Sequence, residues 1–324
     1  MALLFLYYRS IKEKIGGTGR LIRLIHCLGG KVIDTPIANE YITRNIGFYI
    51  FQNIVLLLKS IKYIKEISSH NIVIYQPYSL PGSIIPLLIK SLQRRIVIVD
   101  DVNFHSLIEP LLLKLFSKFI RVIWTSSLYT ISQFRYYFKN KFYIYYVFTP
   151  IQPKPNIYSM SNKLNFILFV GSRSFERYVE IALQICHFAR DLPNFKFVLV
   201  GVASEALTGK CPYRNVIILG RVPDQIYLDL LKLARYIIVI DNAKYIYPGG
   251  MLIKIIDALE YGVYPIISWQ FKYSFPFLKA VSSASDIYKL VENNESFQQI
   301  ENFLNIFSCK NLHKFLKLPI LRET

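Results

Sequence analysis

Residues 241–268 read DNAKYIYPGGMLIKIIDALEYGVYPIIS, and the order of signals in them predicts a strand, a loop, a helix and a second strand. The β-branched run IIVI at 237–240 comes before the stretch and runs into a polar, Tyr-rich loop. Pro248 leads into Gly249-Gly250, after which Leu252, Ile255, Ile256 and Leu259 fall at helical spacing. Gly262 stops that helix, and Tyr264-Pro265-Ile266-Ile267 starts the next strand. This is the repeating unit of an α/β, doubly wound parallel sheet. Glycines at a helix start let backbone N–H groups approach an anion, and the helix dipole favours negative charge there. Asp257 lies two turns in and, with Lys254, is the only charge on those turns. A carboxylate so placed can accept two hydroxyl hydrogen bonds, as ribose recognition requires.

The run G-M-L-I-K-I-I-D-A-L-E-Y-G-V-Y-P-I-I resembles the G-x-x-x-K-x-x-E-A-x-x-x-G-x-P-V-I signature of GT-B glycosyltransferases similar to family 4. In that family the Glu binds the ribose of a nucleotide-sugar and the helix start faces the diphosphate. The resemblance puts Asp257 at the Glu position, Lys254 at the Lys, and Gly250 and Gly262 at the glycines. Two departures stand out. Asp257 is one methylene shorter than Glu, and Gly249 falls where many members carry an earlier Glu that contacts the sugar.

Length and composition bound the rest. The 324 residues suit two domains of ordinary size, each with its own core. Hydrophobic residues make up 53% and the mean hydropathy is +0.32, yet no run reaches the roughly 18 apolar residues of a membrane span. The opening ALLFLYY is short and lacks a preceding basic region, so it reads as a first strand rather than a signal peptide. Cys27, Cys186, Cys211 and Cys309 are scattered with no C-x-x-C pair, so neither a disulfide framework nor a structural zinc is expected. Five dispersed histidines argue against a His-based metal site. These features predict a cytoplasmic protein. Net charge is +18, and residues 1–150 hold 19 Lys and Arg against 7 Asp and Glu, a net +12. A basic, apolar first half suggests an anionic partner: membrane headgroups, a phosphorylated lipid or nucleic acid.

Taken in order, residues 3–8 read as a strand, followed by Gly16-Gly17-Thr18-Gly19-Arg20 and the helical run LIRLIHCL, which Gly29-Gly30 ends before KVID. The glycine loop resembles the family's N-terminal G-G loop, so Gly16 and Gly17 are candidates to meet the diphosphate. Residues 45–66 predict a long helix, apolar on most sides until Lys59. A core helix is the reading favoured here, with an interfacial helix holding Lys59, Lys62 and Lys65 at headgroup level as the alternative. IVIYQ (72–76), RIVIVDD (95–101) and RVIWTSS (121–127) read as further strands. Asp100, Asp101 and His105 follow the second of these at what would be the sheet's carboxyl edge. They are the acceptor-side candidates for a general base, although an Asp there equally caps the next helix.

Pro150, Pro153 and Pro155 mark a linker. The domains read as 1–152 on the acceptor side, a linker at 153–163, a donor domain at 164–300 and a terminal helix over 301–324 returning to the first domain. LNFILFVG (164–171) then enters GSRSFER and a helix. Against the family's V-G-R-x-x-x-x-K-G, Arg177 stands at the Lys and Arg173 one residue past the Arg position, which Ser172 occupies. Forked arginine donors suit a diphosphate. FKFVLVG and NVIILGRVPDQIYLDLLKLARYIIVI continue the family's order of blocks.

The resemblance implies a GT-B fold, two Rossmann-like domains facing across a cleft. It also implies transfer of a sugar from a UDP- or GDP-linked donor to an acceptor hydroxyl, with retention, no bound metal and no separate cofactor. Arg173, Arg177 and the amides of Gly16, Gly17, Gly249, Gly250 and Met251 would hold the departing diphosphate. Asp257 would hold the ribose, with Lys254 on the same helix. Lys244, Tyr245 and Tyr247 line the loop where the donor sugar or base should sit. The basic first half suggests a membrane-linked acceptor and peripheral docking on the cytoplasmic face of the membrane. Two alternatives remain open at this level: glycosylation of DNA by the same fold, since a basic chain holds a polyanion, and a non-catalytic GT-B scaffold, made thinkable by Gly249 and Ser172.

Overall fold

The computed structural model describes residues 3–7, 17–34, 54, 58, 61–75, 96–99, 114, 122–126, 128–138, 143–152, 163–171, 176–240, 253–273, 275–292 and 302–316. The chain divides into two compact units, Met1–Pro150 with Leu312–Thr324, and Ile151–Asn311. Each is built on a parallel sheet.

The first unit holds β1 (Leu3–Tyr7), α1 (Gly17–Leu28), β2 (Lys31–Asp34), α2 (Ile64–Ser69), β3 (Ile72–Tyr75), β4 (Ile96–Val99), β5 (Val122–Thr125), α3 (Leu128–Phe138) and β6 (Tyr143–Tyr146). Its sheet runs β2-β1-β3-β4-β5-β6, and each of these pairings is parallel. A parallel sheet covered on both faces needs near-continuous aliphatic strands. That is why LLFLY, IVIY, IVIV and VIWT alternate so little in polarity. Leu4, Phe5, Val73, Ile74, Ile123 and Trp124 form the buried centre. The glycines after α1 end it as read from the sequence: Gly29 and Gly30 sit at φ +69° and +126°. At Gly30 a Cβ would meet the Leu3 carbonyl oxygen at 3.0 Å.

The second unit holds β7 (Leu164–Val170), α4 (Glu176–Asp191), β8 (Lys196–Val200), α5 (Val202–Glu205), β9 (Val216–Gly220), α6 (Asp224–Leu233), β10 (Ala234–Val239), α7 (Ile253–Glu260), β11 (Tyr264–Ile267) and α8 (Ala284–Glu292). Helix α9 (Cys309–Leu316) carries the chain back into the first unit's residue range. The second sheet runs β11-β10-β7-β8-β9, again parallel throughout. Tyr236 and Tyr264 are fully buried in it and meet edge-to-face at 6.4 Å.

One expectation is corrected. Cys186 and Cys211 form a disulfide, with Cα atoms 5.9 Å apart. The pairing joins α4 to the loop after α5, a tertiary meeting that sequence spacing does not reveal. Of the helix expected over 45–66, residues 54, 58 and 61–66 are described, and Ile54, Leu58 and Ile61 are 51%, 61% and 48% exposed. Helix α2 buries Ile67, which packs with Leu4, Ile33 and Val73. Among the described residues no helix is long and apolar enough to cross a membrane.

Candidate functional site

Strand order locates the site in the second unit. The sheet starts at β7 and winds outward through β8 and β9 on one side, then through β10 and β11 on the other. At such a reversal the loops leaving the two central strands diverge and open a crevice at their carboxyl ends. The two loops are those after β7 and after β10, which are the two that carry the GSRSFER and YPGGM sequences.

The floor beside β7 is built from glycines. Gly171 follows the strand, and its N–H donates to the Val200 carbonyl at 2.8 Å. Gly201, at φ +99°, lies so close that an added Cβ would sit 2.3 Å from the Gly171 carbonyl oxygen. Both the left-handed backbone and the clearance require glycine there. The Gly201 N–H in turn donates to the Gly220 carbonyl at 2.6 Å. The carboxyl ends of β7, β8 and β9 are thereby tied in one row.

Helix α7 brings the other wall. The Lys254 ammonium donates to the Val170 carbonyl at 2.5 Å, at the last residue of β7. It also lies 5.9 Å from the centre of the Tyr178 ring on α4. A first-turn lysine reaching the end of β7 fixes the amino end of α7 at the carboxyl end of that strand. Asp257 is one turn further along, half-buried and on the same side of the helix as Lys254 by its three-residue spacing. Tyr227 of α6 is close enough to feel the Asp257 charge. Burial first, then Asp257 and Tyr261, holds its phenol well above the ordinary range. A protonated phenol at this place is a hydrogen-bond donor beside a carboxylate. Nothing in the spacing of α6 singles out Tyr227, because its neighbour on α7 comes from 30 residues away in the chain.

The carboxyl end of α7 is held as firmly. Lys163 donates to the Tyr261 carbonyl at 2.7 Å and to the Leu231 carbonyl of α6 at 3.3 Å. One ammonium thus meets the negative ends of both helices. Burial nevertheless pushes Lys163 down to about 8.

Of the residues expected from sequence, Lys254 and Asp257 are brought together as described, Gly17 is the first residue of α1, and Arg177 lies in the first turn of α4. Gly16, Arg173, Lys244, Tyr245, Tyr247, Gly249, Gly250 and Met251 lie outside the described residues, as do Asp100, Asp101 and His105. In the first unit, Arg20 of α1 is buried and donates to the Thr149 hydroxyl at 3.1 Å. Tyr146 is pushed up to about 12 by burial, with the Arg20 charge opposing. The sequence marked Arg20 only as the end of a glycine loop. Among the described residues no group of three or more His, Cys, Asp or Glu is placed to hold a metal ion.

No family model matches the chain, and no curated protein matches it. Solved structures do. Anabaena HepE, in complex with UDP and glucose, aligns over 98% of both chains at 13% identity with a TM-score of 0.66. The lipopolysaccharide outer core galactosyltransferase WaaB, in its apo form, aligns over 100% of both at 13% identity and 0.64. The sucrose-phosphate synthase of Thermosynechococcus elongatus aligns over 97% of this chain and 95% of its own at 12% identity and 0.62. The chain has the GT-B fold, two Rossmann-like domains on parallel sheets.

Proposed function

We propose that this chain is a glycosyltransferase that moves a sugar from a nucleotide-diphosphate carrier to an acceptor hydroxyl. The observation that carries the reading is the seating of α7 on β7. The Lys254–Val170 contact puts a glycine-preceded helix start and a half-buried Asp257 at the reversal point of the sheet. A helix amino end there offers positive potential to a diphosphate, and Asp257 offers a paired acceptor to the ribose hydroxyls. Arg173 and Arg177, on the loop and first turn after β7, supply charge to the leaving diphosphate. The structural relatives that hold UDP, or UDP with glucose, support a UDP-linked donor.

The finer reading follows the resemblance: retention at the anomeric carbon, no bound metal, and Asp100, Asp101 or His105 on the acceptor side. The net +12 of residues 1–150 favours a membrane-linked glycan or glycolipid as acceptor, met at the cytoplasmic face.

Enzymes of this kind release nucleotide slowly when no acceptor is present, so the acceptor need not be known for the test. UDP- and GDP-linked sugars are offered to wild type and to Asp257→Ala, and free nucleotide is measured. Release from one donor, with kcat/KM lower in the variant by about 100-fold from two lost charged hydrogen bonds, is the expected result. Folded wild type that neither binds nor cleaves any donor would overturn the reading.

A further inference from the structure

Among its described residues, the first unit exposes three aliphatic side chains at helical positions before α2. Ile54, Leu58 and Ile61 are helical and all strongly exposed. Steps of four and three residues put them on one side of a helix. Lys62, four residues after Leu58, is exposed on that side as well, and Lys65 is exposed just after the turn at Tyr63. Among the described residues of this stretch, burial begins at the turn itself, where Tyr63 and then Ile67 pack against the core. The sequence sharpens the pattern. Residues 45–58 contain no Asp, Glu, Lys or Arg, and the next three charges are Lys59, Lys62 and Lys65. The first acid, Glu66, is paired with Lys31.

Three aliphatic side chains aligned on one exposed face call for a partner, unlike single apolar residues scattered on a surface. Charge decides which partner fits. A second copy would bring the same lysines against each other on two chains of net charge +18. A nucleic acid is gripped through phosphates and stacked bases, and Ile and Leu side chains serve neither. An anionic bilayer takes both parts: the aliphatic side chains enter the acyl boundary while ammonium groups stay among the headgroups.

We propose that the face formed by Ile54, Leu58 and Ile61, flanked by Lys62 and Lys65, docks the first unit on an anionic lipid surface. It deepens the transferase reading, because docking there brings the enzyme to a membrane-held acceptor, but the docking itself requires no turnover.

The test is flotation of the full chain with vesicles of phosphatidylcholine alone and of phosphatidylcholine mixed with phosphatidylglycerol. The wild type should float with the mixed vesicles only. The triple variant Ile54→Gln, Leu58→Gln, Ile61→Gln should bind at least about tenfold more weakly, and so should the double variant Lys62→Glu, Lys65→Glu. Two independent variants keep the test decisive if one fails to fold, and thermal unfolding shows which have folded. Equal binding to neutral vesicles, no binding by the wild type, or undiminished binding by folded variants would overturn the proposal. A wild-type dimer that the triple variant abolishes in the absence of lipid would overturn it too. Donor cleavage is measured on the same samples. Face-dependent flotation without cleavage sustains docking and sinks the transferase reading, whereas cleavage without flotation does the reverse.

Discussion

Glu260, the last residue of α7, accepts the backbone N–H of Gln152 at 3.1 Å, one turn beyond Asp257 on the same helix. Its neighbour Ile151 donates its N–H to the Phe307 carbonyl at 2.9 Å. The chain's entry into the second unit is therefore fastened to the helix that carries the candidate ribose carboxylate. Just before that entry, Thr149 is held by the Arg20 guanidinium within the first unit.

Removing the Glu260 carboxylate should loosen this entry. Glu260 is only 5% exposed, so Glu260→Ala leaves the Gln152 amide without its acceptor in a place water barely reaches. The expected cost is about 1–3 kcal/mol. Glu260→Gln keeps an oxygen acceptor and should cost less. Urea unfolding measures the stability, and hydrogen exchange at the Gln152 amide should speed up in the alanine variant well before global unfolding.

Gly201→Ala should be harsher than an ordinary glycine substitution. A Cβ there meets the Gly171 carbonyl oxygen at 2.3 Å, and the backbone is already at φ +99°. Neither obstacle is the tip of a flexible side chain. Strain and the forced parting of two loops should together cost about 3 kcal/mol. The loop after β7 would move with them, so donor cleavage should fall alongside the unfolding midpoint. A variant with wild-type midpoint would show that the two glycines do not pack as described.

The sheet elements were legible because parallel strands must be aliphatic throughout, and IVIY, IVIV and KFVLV say so without context. Lys254 and Asp257 were legible because their spacing on one helix is fixed by the helix itself. Tyr227 was not, since only the winding of the sheet brings α6 beside α7. The Cys186–Cys211 bond and the Glu260–Gln152 contact were hidden for the same reason, spanning 25 and 108 residues. At Ile54, Leu58 and Ile61 the apolar spacing pointed to a helix without telling which side of it meets solvent. Apolar periodicity reports a helix face that avoids water, and a lipid surface satisfies it as well as a core does.

The Cys186–Cys211 disulfide closes a loop of 25 residues. Restricting that loop in the unfolded chain is worth about 3 kcal/mol. Cys27 and Cys309 are disulfide-bonded as well, so dithiothreitol should weaken Cys211→Ser, already weaker from the start, through those cysteines alone, and should weaken wild type by about that much more. Urea midpoints of both proteins, with and without reductant, give the four values needed. Equal losses on reduction in the two proteins, with the Cys186 and Cys211 thiols of wild type shown free, would mean the bond contributes nothing.

Lys163 should give the second unit a pH dependence that its removal abolishes. Its folded value lies near 8, below the usual 10.5, because burial disfavours the charged ammonium. Below about pH 8 both folded and unfolded chains hold the proton, and the folded state bears the full cost of burying it. Between about pH 8 and 10.5 the unfolded chain holds more protons, so stability rises with pH across that window. The side chain is half-buried, and solvent screening limits the gain to about 1 kcal/mol. Lys163→Met lacks the titration and also leaves the Tyr261 and Leu231 carbonyls without their donor. Urea unfolding at about pH 7.5 and about pH 9.5 should show wild type gaining stability relative to the variant. An unchanged difference between the two proteins would place the Lys163 ammonium in freer contact with water than its two carbonyl partners imply.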